Sequence, residues 1–184
     1  MRPSRFAAIV LAATAILGGA VAGSSHAESS ALQACNLRGS WVAGTGEANR
    51  YMSALNPTST SIELRRGSLT ATFTRTQFTF GGLSLMLVGT LGRSTLKEEV
   101  DIEATAPYHV RGSRVVFGPG TYKAHYVSAV LIQNGRQTNL RLPASSVRTP
   151  GSSVGYSCSP RTLRLAVAAG GTGDAVPLAL QRSH

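Results

Sequence analysis

Past residue 36 the chain alternates apolar and polar positions in short runs, each ending in Gly, Pro, Asn or Ser. Period-two alternation with that punctuation predicts β-strands. The runs place strands at 37–45, 61–66, 68–75, 78–90, 96–105, 108–117, 121–132, 137–142, 162–167 and 176–181. Arg66-Gly67 and Gly118-Pro119-Gly120 read as turns, while Gly81-Gly82 and Gly112 read as breaks or bulges within longer strands. Asn134-Gly135 is the strongest hairpin signal, because a type I′ turn needs positive φ at both central residues. The Ser-, Pro- and Gly-rich segment 143–155 reads as a loop, and Gly170-Gly171-Thr172-Gly173 as a flexible connection. Only Ala48 to Leu55 has helical character, and Pro57 ends it.

Strands in sequential hairpin order predict an all-β fold: an antiparallel up-and-down β-barrel of about eight to ten strands. Closure removes the exposed edges of a long meander. No strand is followed by a ten-residue helix, which excludes parallel βαβ units. No internal repeat is evident. Closure requires the first and last strands to be neighbours. Leu37, Gly39, Trp41 and Ala43 share one face of the first; Val176, Leu178, Leu180 and Arg182 share one face of the last. A charge continuing an apolar face needs a partner. Two readings stand: Arg182 stacks on Trp41, the only Trp, as a cation–π closure of the barrel, or Trp41 packs in the core and Arg182 lies in a tail.

Composition changes the picture at the N-terminus. Arg2 and Arg5 precede an apolar run from Phe6 to Ala22, and Ser25-His26-Ala27 has the small-x-small form of a cleavage site. Residues 1–27 therefore read as a secretory signal peptide, leaving residues 28–184 as one domain. The apolar run is short and rich in Ala and Gly, which argues against a retained membrane span. Leu32-Gln33-Ala34-Cys35 loosely matches a lipidation signal, but polar residues separate it from the apolar run. Cys35 and Cys158 are the only cysteines, and two cysteines in an exported chain most often pair. The formal net charge of +10 falls to +8 without Arg2 and Arg5. The remaining cations are mostly Arg, scattered without clustering or interleaved aromatics, so no nucleic-acid interface is expected.

The opening stretch Leu37-Arg38-Gly39-Ser40-Trp41 resembles the G-x-W start of the calycin superfamily, which includes lipocalins, fatty-acid-binding proteins and avidins. Gly67-Ser68-Leu69-Thr70-Ala71-Thr72-Phe73 is similar to the second avidin strand. The resemblance implies a calycin-like barrel in which Arg182 covers Trp41. It does not imply biotin, because several expected wall residues differ: a single Trp is present and Phe73 stands where a Tyr would be wanted.

Candidate chemistry is sparse. Glu99, Asp101 and Glu103 alternate with Val100, Ile102 and Ala104, which suits a solvated strand face opposite Lys or Arg, or less simply a Ca²⁺ site. His109 and His125 lie in strands without a serine or carboxylate at triad spacing, and G-x-S-x-G does not occur. Glu98 or Glu99 with Asp174 makes only a nominal hydrolytic dyad. The glycines around Gly170 lack the Lys-Ser or Lys-Thr of a phosphate loop. No enzyme activity, metal or cofactor is therefore expected. The strands around Leu83–Val88, Val115–Phe117 and Ala129–Ile132 are apolar on both faces, which happens where one face meets the core and the other a ligand, loop or partner. Phe73, Leu85, Tyr122 and Tyr126 are the candidate cavity residues, the tyrosines supplying a pair of hydroxyls; an interior wholly filled by side chains is the other reading. The leading expectation is a secreted, non-enzymatic, lipocalin-like protein that binds a small apolar or amphipathic ligand inside the barrel. The alternative is an extracellular or cell-envelope interaction protein whose basic outer surface meets a protein or an anionic polymer.

Overall fold

A computed structural model describes residues 36–55, 60–168 and 175–183. The strands are β1 (Gly39–Ala43), β2 (Thr60–Arg66), β3 (Leu69–Phe73), β4 (Gln77–Leu91), β5 (Ser94–Arg111), β6 (Arg114–Phe117), β7 (Gly120–Gln133), β8 (Arg136–Asn139), β9 (Ser145–Thr149), β10 (Ser152–Cys158), β11 (Thr162–Ala168) and β12 (Ala175–Arg182). One helix, α1 (Thr45–Leu55), joins β1 to β2 across the segment 56–59.

Register explains how eleven of the twelve strands make one ring, with β2 beside it. β5 pairs with β4 from Gln77↔Pro107 to Leu91↔Ser94. Along its other edge, β6 and β7 follow a single line, with Tyr108↔Phe117 and Thr105↔Thr121. β8, β9 and β10 run back along that line in one continuous register: Val130↔Asn139, Gly120↔Thr149 and Ser152↔Phe117. Carried across the gap, this register sets Pro119 opposite Pro150 and Gly118 opposite Gly151. Neither proline has an N–H to give to a ladder, so both composite strands break at the same level. β10 then pairs with β11, β11 with β12, β12 with β1, β1 with β3 and β3 with β4. The result is a closed, antiparallel, up-and-down barrel of eight strands, counting β6–β7 and β8–β10 as one strand each.

Two expectations are corrected. The segment 143–155 is not a loop: it contains β9 and most of β10. Its strand state comes from neighbours that offer a matching ladder, a tertiary effect that local composition does not carry. The segment 108–117 is not one strand: Gly112, with φ 58°, turns the chain, and Tyr108 to Arg111 belong to β5. The helix begins at Thr45, earlier than the composition suggests. At Asn134-Gly135 the expected hairpin is present, with φ 50° and 75°. The expected irregularity near Gly81-Gly82 is a bulge between Gly82 and Leu85. Before it β4 pairs with β3, and after it with β2. A Cβ on Gly81 would lie 2.0 Å from the Ile102 carbonyl oxygen, so only glycine permits that approach.

The closed end is filled by aromatic rings. Phe78 lies 4.8 Å from Phe73 and 4.7 Å from Phe117, centroid to centroid, and Tyr108 meets Phe73 edge-on. Leucines of β11 and β12 (Leu163, Leu165, Leu178 and Leu180) complete this core. At the other end α1 buries Ala48 and Tyr51 against it. The Asn49 side chain accepts from the Leu64 N–H at 2.6 Å and donates to the Leu64 carbonyl at 3.0 Å, which occupies backbone groups on the outer edge of β2. Glu47 accepts from the Ala179 N–H and from Arg50, which holds its carboxyl below the usual carboxylate range.

β1 and β12 meet at Trp41↔Arg182. The Arg182 guanidinium carbon lies 4.2 Å from the Trp41 ring centroid. Its nitrogens donate to the carbonyls of Pro160, Arg38 and Asn36 at 2.8, 3.1 and 2.7 Å. The indole N–H donates to the Leu37 carbonyl. Gly39 has φ 114°, and a Cβ there would lie 3.2 Å from an Arg182 nitrogen, so glycine both permits the backbone turn and leaves room for the guanidinium. Cys158 lies opposite Leu163; its expected partner Cys35 and the expected signal peptide fall outside the described residues. Replacing Arg182 by Ala removes the stacked cation and three carbonyl partners, and about 2–3 kcal/mol of stability is expected to go with it. Urea unfolding measures the loss, and emission from Trp41 should shift to the red as water reaches the indole; unchanged emission and midpoint would show that the contact does not hold the ring.

Candidate ligand-binding face

The strands differ in length, and this difference makes the site. β4, β5 and β7 continue past the short strands β1, β3, β11 and β12, flanked by β2 and β8. Partners across antiparallel strands lie on the same face. One face of this extension carries the rows Leu85↔Val100↔Tyr126, Leu64↔Leu87↔Glu98↔Ala129 and Gly89↔Leu96↔Leu131↔Thr138. It continues the inner face of the barrel through the row Phe80↔Ala104↔Tyr122. At its far end a pocket of ≈ 540 Å³ is lined by Leu131, Gln133, Asn134, Arg136 and Thr138.

Glu98 sits in the middle of these leucines. Only 5 % of its surface is exposed, and among the described residues it makes no hydrogen bond or ion pair. Burial pushes its carboxyl above the usual carboxylate range. An isolated buried carboxylate is costly by several kcal/mol, so an empty site favours the protonated form. Two phenols share the patch. Tyr122 is pushed up to about 12, first by burial and then by the charge of Glu98. Tyr126 is raised by burial, by Glu98 and by Tyr122, in that order. Neither hydroxyl makes a hydrogen bond among the described residues. A carboxyl and two phenols with free bonding capacity thus stand on an apolar sheet face. That arrangement can seat a molecule with a greasy body and a polar head.

Of the candidate cavity residues, Tyr122, Tyr126 and Leu85 are brought onto this face. Phe73 is not among them: it pairs with Gly39 and stacks in the aromatic cluster of the closed end. Trp41 and Arg182 close the ring away from this face. Glu98 is the residue that composition alone singles out least. Its signal is parity: it alternates with Leu96 and Val100, not with the acidic set Glu99, Asp101 and Glu103.

The opposite face of the same strands is ionic and solvated. Glu99 pairs with Arg66 at 3.1 Å, Glu103 with Lys123 at 3.7 Å, and Asp101 lies 3.8 Å from His125. Asp101 also accepts the N–H of Ser84, the left-handed residue of the β4 bulge. β9 brings Ser146 opposite Lys123, one row from His125. Aspartate, histidine and serine thus share one surface, but no hydrogen bond links them and the histidine is largely exposed. A nucleophile needs both links of that chain. Asp174, the nominal partner of Glu98, lies outside the described residues. Among the described residues no three His, Cys, Asp or Glu side chains are grouped to hold a metal, and no helix is long and apolar enough to cross a membrane.

The chain matches no protein-family model, and neither a curated protein nor a solved structure is significantly similar to it.

The raised carboxyl of Glu98 has a pH signature. The folded state holds this proton more tightly than the unfolded chain, where a glutamate titrates near about 4.3. Stability therefore falls as pH rises from that range through the folded value. Denaturant midpoints of the native chain are expected to drop between pH 5 and pH 8. Glu98→Gln should lose that component and exceed the native chain in stability at pH 8. Parallel pH profiles for the two proteins would contradict the assignment.

Proposed function

We propose that the protein is an exported, non-enzymatic binding protein of calycin type that takes up a small amphipathic ligand where the barrel's inner face runs out onto the β4–β5–β7 extension. The observation that carries this reading is the unpartnered Glu98 with Tyr122 and Tyr126 among Leu85, Leu87, Leu96 and Leu131. Apolar surface of this kind supplies affinity in proportion to the area covered. The few polar groups set orientation. The closed barrel with Arg182 over Trp41 is compatible with the calycin pattern read from the G-x-W stretch. Export by the N-terminal signal and a Cys35–Cys158 bridge belong to the same reading, since a bridge over so long a loop stabilises a secreted domain.

The reading is tested with a neutral, environment-sensitive naphthylamine dye. One saturable site of micromolar affinity is expected, with displacement by dodecanol. Leu131→Lys, on the proposed face and only partly buried, should weaken dye binding at least tenfold with little loss of stability. Absence of saturable binding in the native chain would remove the proposal.

A further inference from the structure

Six of the chain's eight acidic residues are described, and five have a basic partner: Glu47 with Arg50, Glu63 with Arg65, Glu99 with Arg66, Asp101 with His125 and Glu103 with Lys123. Glu98 is the exception, and it is the most buried of the six. In a chain with a net charge of +10, cations are abundant, and among the described residues none is placed against it. We propose that the missing partner is the ligand's own cationic head group, an alkylammonium seated on the Glu98 carboxylate beside the Tyr122 and Tyr126 rings.

This rests on the amphiphile-binding reading and narrows its substrate class. Directly across from Glu98 stand Leu87 on β4 and Ala129 on β7, neither polar, so no internal group competes for the carboxylate. β2 adds Leu64 to that row. Lys97 and Glu99, its neighbours on β5, point to the other face. The phenols come from β7. Arg136 of β8 lies at the far pocket, four residues beyond Ala129 along the paired strand β7, roughly 13 Å at strand rise. It makes no ion pair among the described residues. An ammonium suits all three polar groups: it donates to the carboxylate and to phenol oxygens, and it is drawn to the ring faces. An anionic head would set a second negative charge against Glu98, which disfavours both. A neutral alcohol gains only an ordinary hydrogen bond.

The dye-displacement assay separates these cases with four C12 chains: dodecylamine, dodecyltrimethylammonium, dodecanol and dodecyl sulfate. Dodecylamine is expected to bind at least tenfold more tightly than dodecanol at pH 8, with dodecyl sulfate weakest. Glu98→Gln should erase the preference for dodecylamine over dodecanol. Because dodecyltrimethylammonium keeps its charge at every pH, a loss of its affinity from pH 8 to pH 5 reports protonation on the protein. His109 and His125 are exposed and away from this face. This second measurement needs no variant. Equal affinity for all head groups, or a cation preference that survives Glu98→Gln and does not change with pH, overturns the inference while the amphiphile reading stands. Failure of every C12 chain and of the dye removes both.

Discussion

Everything in this molecule depends on the ring being shut, and one side chain does most of the shutting. Arg182 stands at the end of the last strand, stacks on the indole of the first, and donates to three main-chain carbonyls from two further segments. A lysine cannot reproduce this, because only a planar fork can lie flat on a ring and reach several acceptors at its rim. Without closure, β1 and β12 would each present a free edge and the apolar faces of both would be wet. The aromatic core formed by Phe73, Phe78 and Phe117 is packed behind this seal, so the closed end holds together as a unit. The opposite end, where α1 packs against the core, carries the extension of β4, β5 and β7.

Ligand chemistry follows from unequal strand length. The short strands form a complete ring, and the long ones overshoot it. The overshoot has two faces of opposite character. On one, carboxylates and cations alternate and satisfy each other in water, where such pairs contribute little to stability. On the other, a single carboxyl is sunk among leucines without a partner among the described residues. Proteins seldom bury a charge without pairing it, and this chain pairs its other described acids. The exception stands on the inner face where the long strands continue past the short ones.

Much of the fold was legible in the sequence. Alternation located most strands, Asn134-Gly135 marked its hairpin, and the shared parity of Trp41 with the first strand and of Arg182 with the last pointed to closure. What escaped was decided by partners distant in the chain. Ser145–Thr149 and Ser152–Cys158 look like loop because serine, glycine and proline dominate, yet a waiting ladder on β6 and β7 makes them strands. β2 looks like a member of the ring and stands beside it, since a bulge in β4 changes which neighbour that strand meets. Of the site, the two tyrosines could be read as cavity residues. Glu98 was hidden by its acidic neighbours, and parity places Phe73 inward without saying which end of the barrel it serves.

The facing prolines carry a mechanical implication. At the level of Pro119 and Pro150, two adjacent staves of the wall lose their rungs together, and β5 runs unbroken beside them. Across that line the ladder between β4 and β5 continues without a break, through Thr79↔Thr105 and Phe78↔Ala106. The crease lies in staves other than β1 and β12, so a bend there does not strain the contact of Arg182 with Trp41.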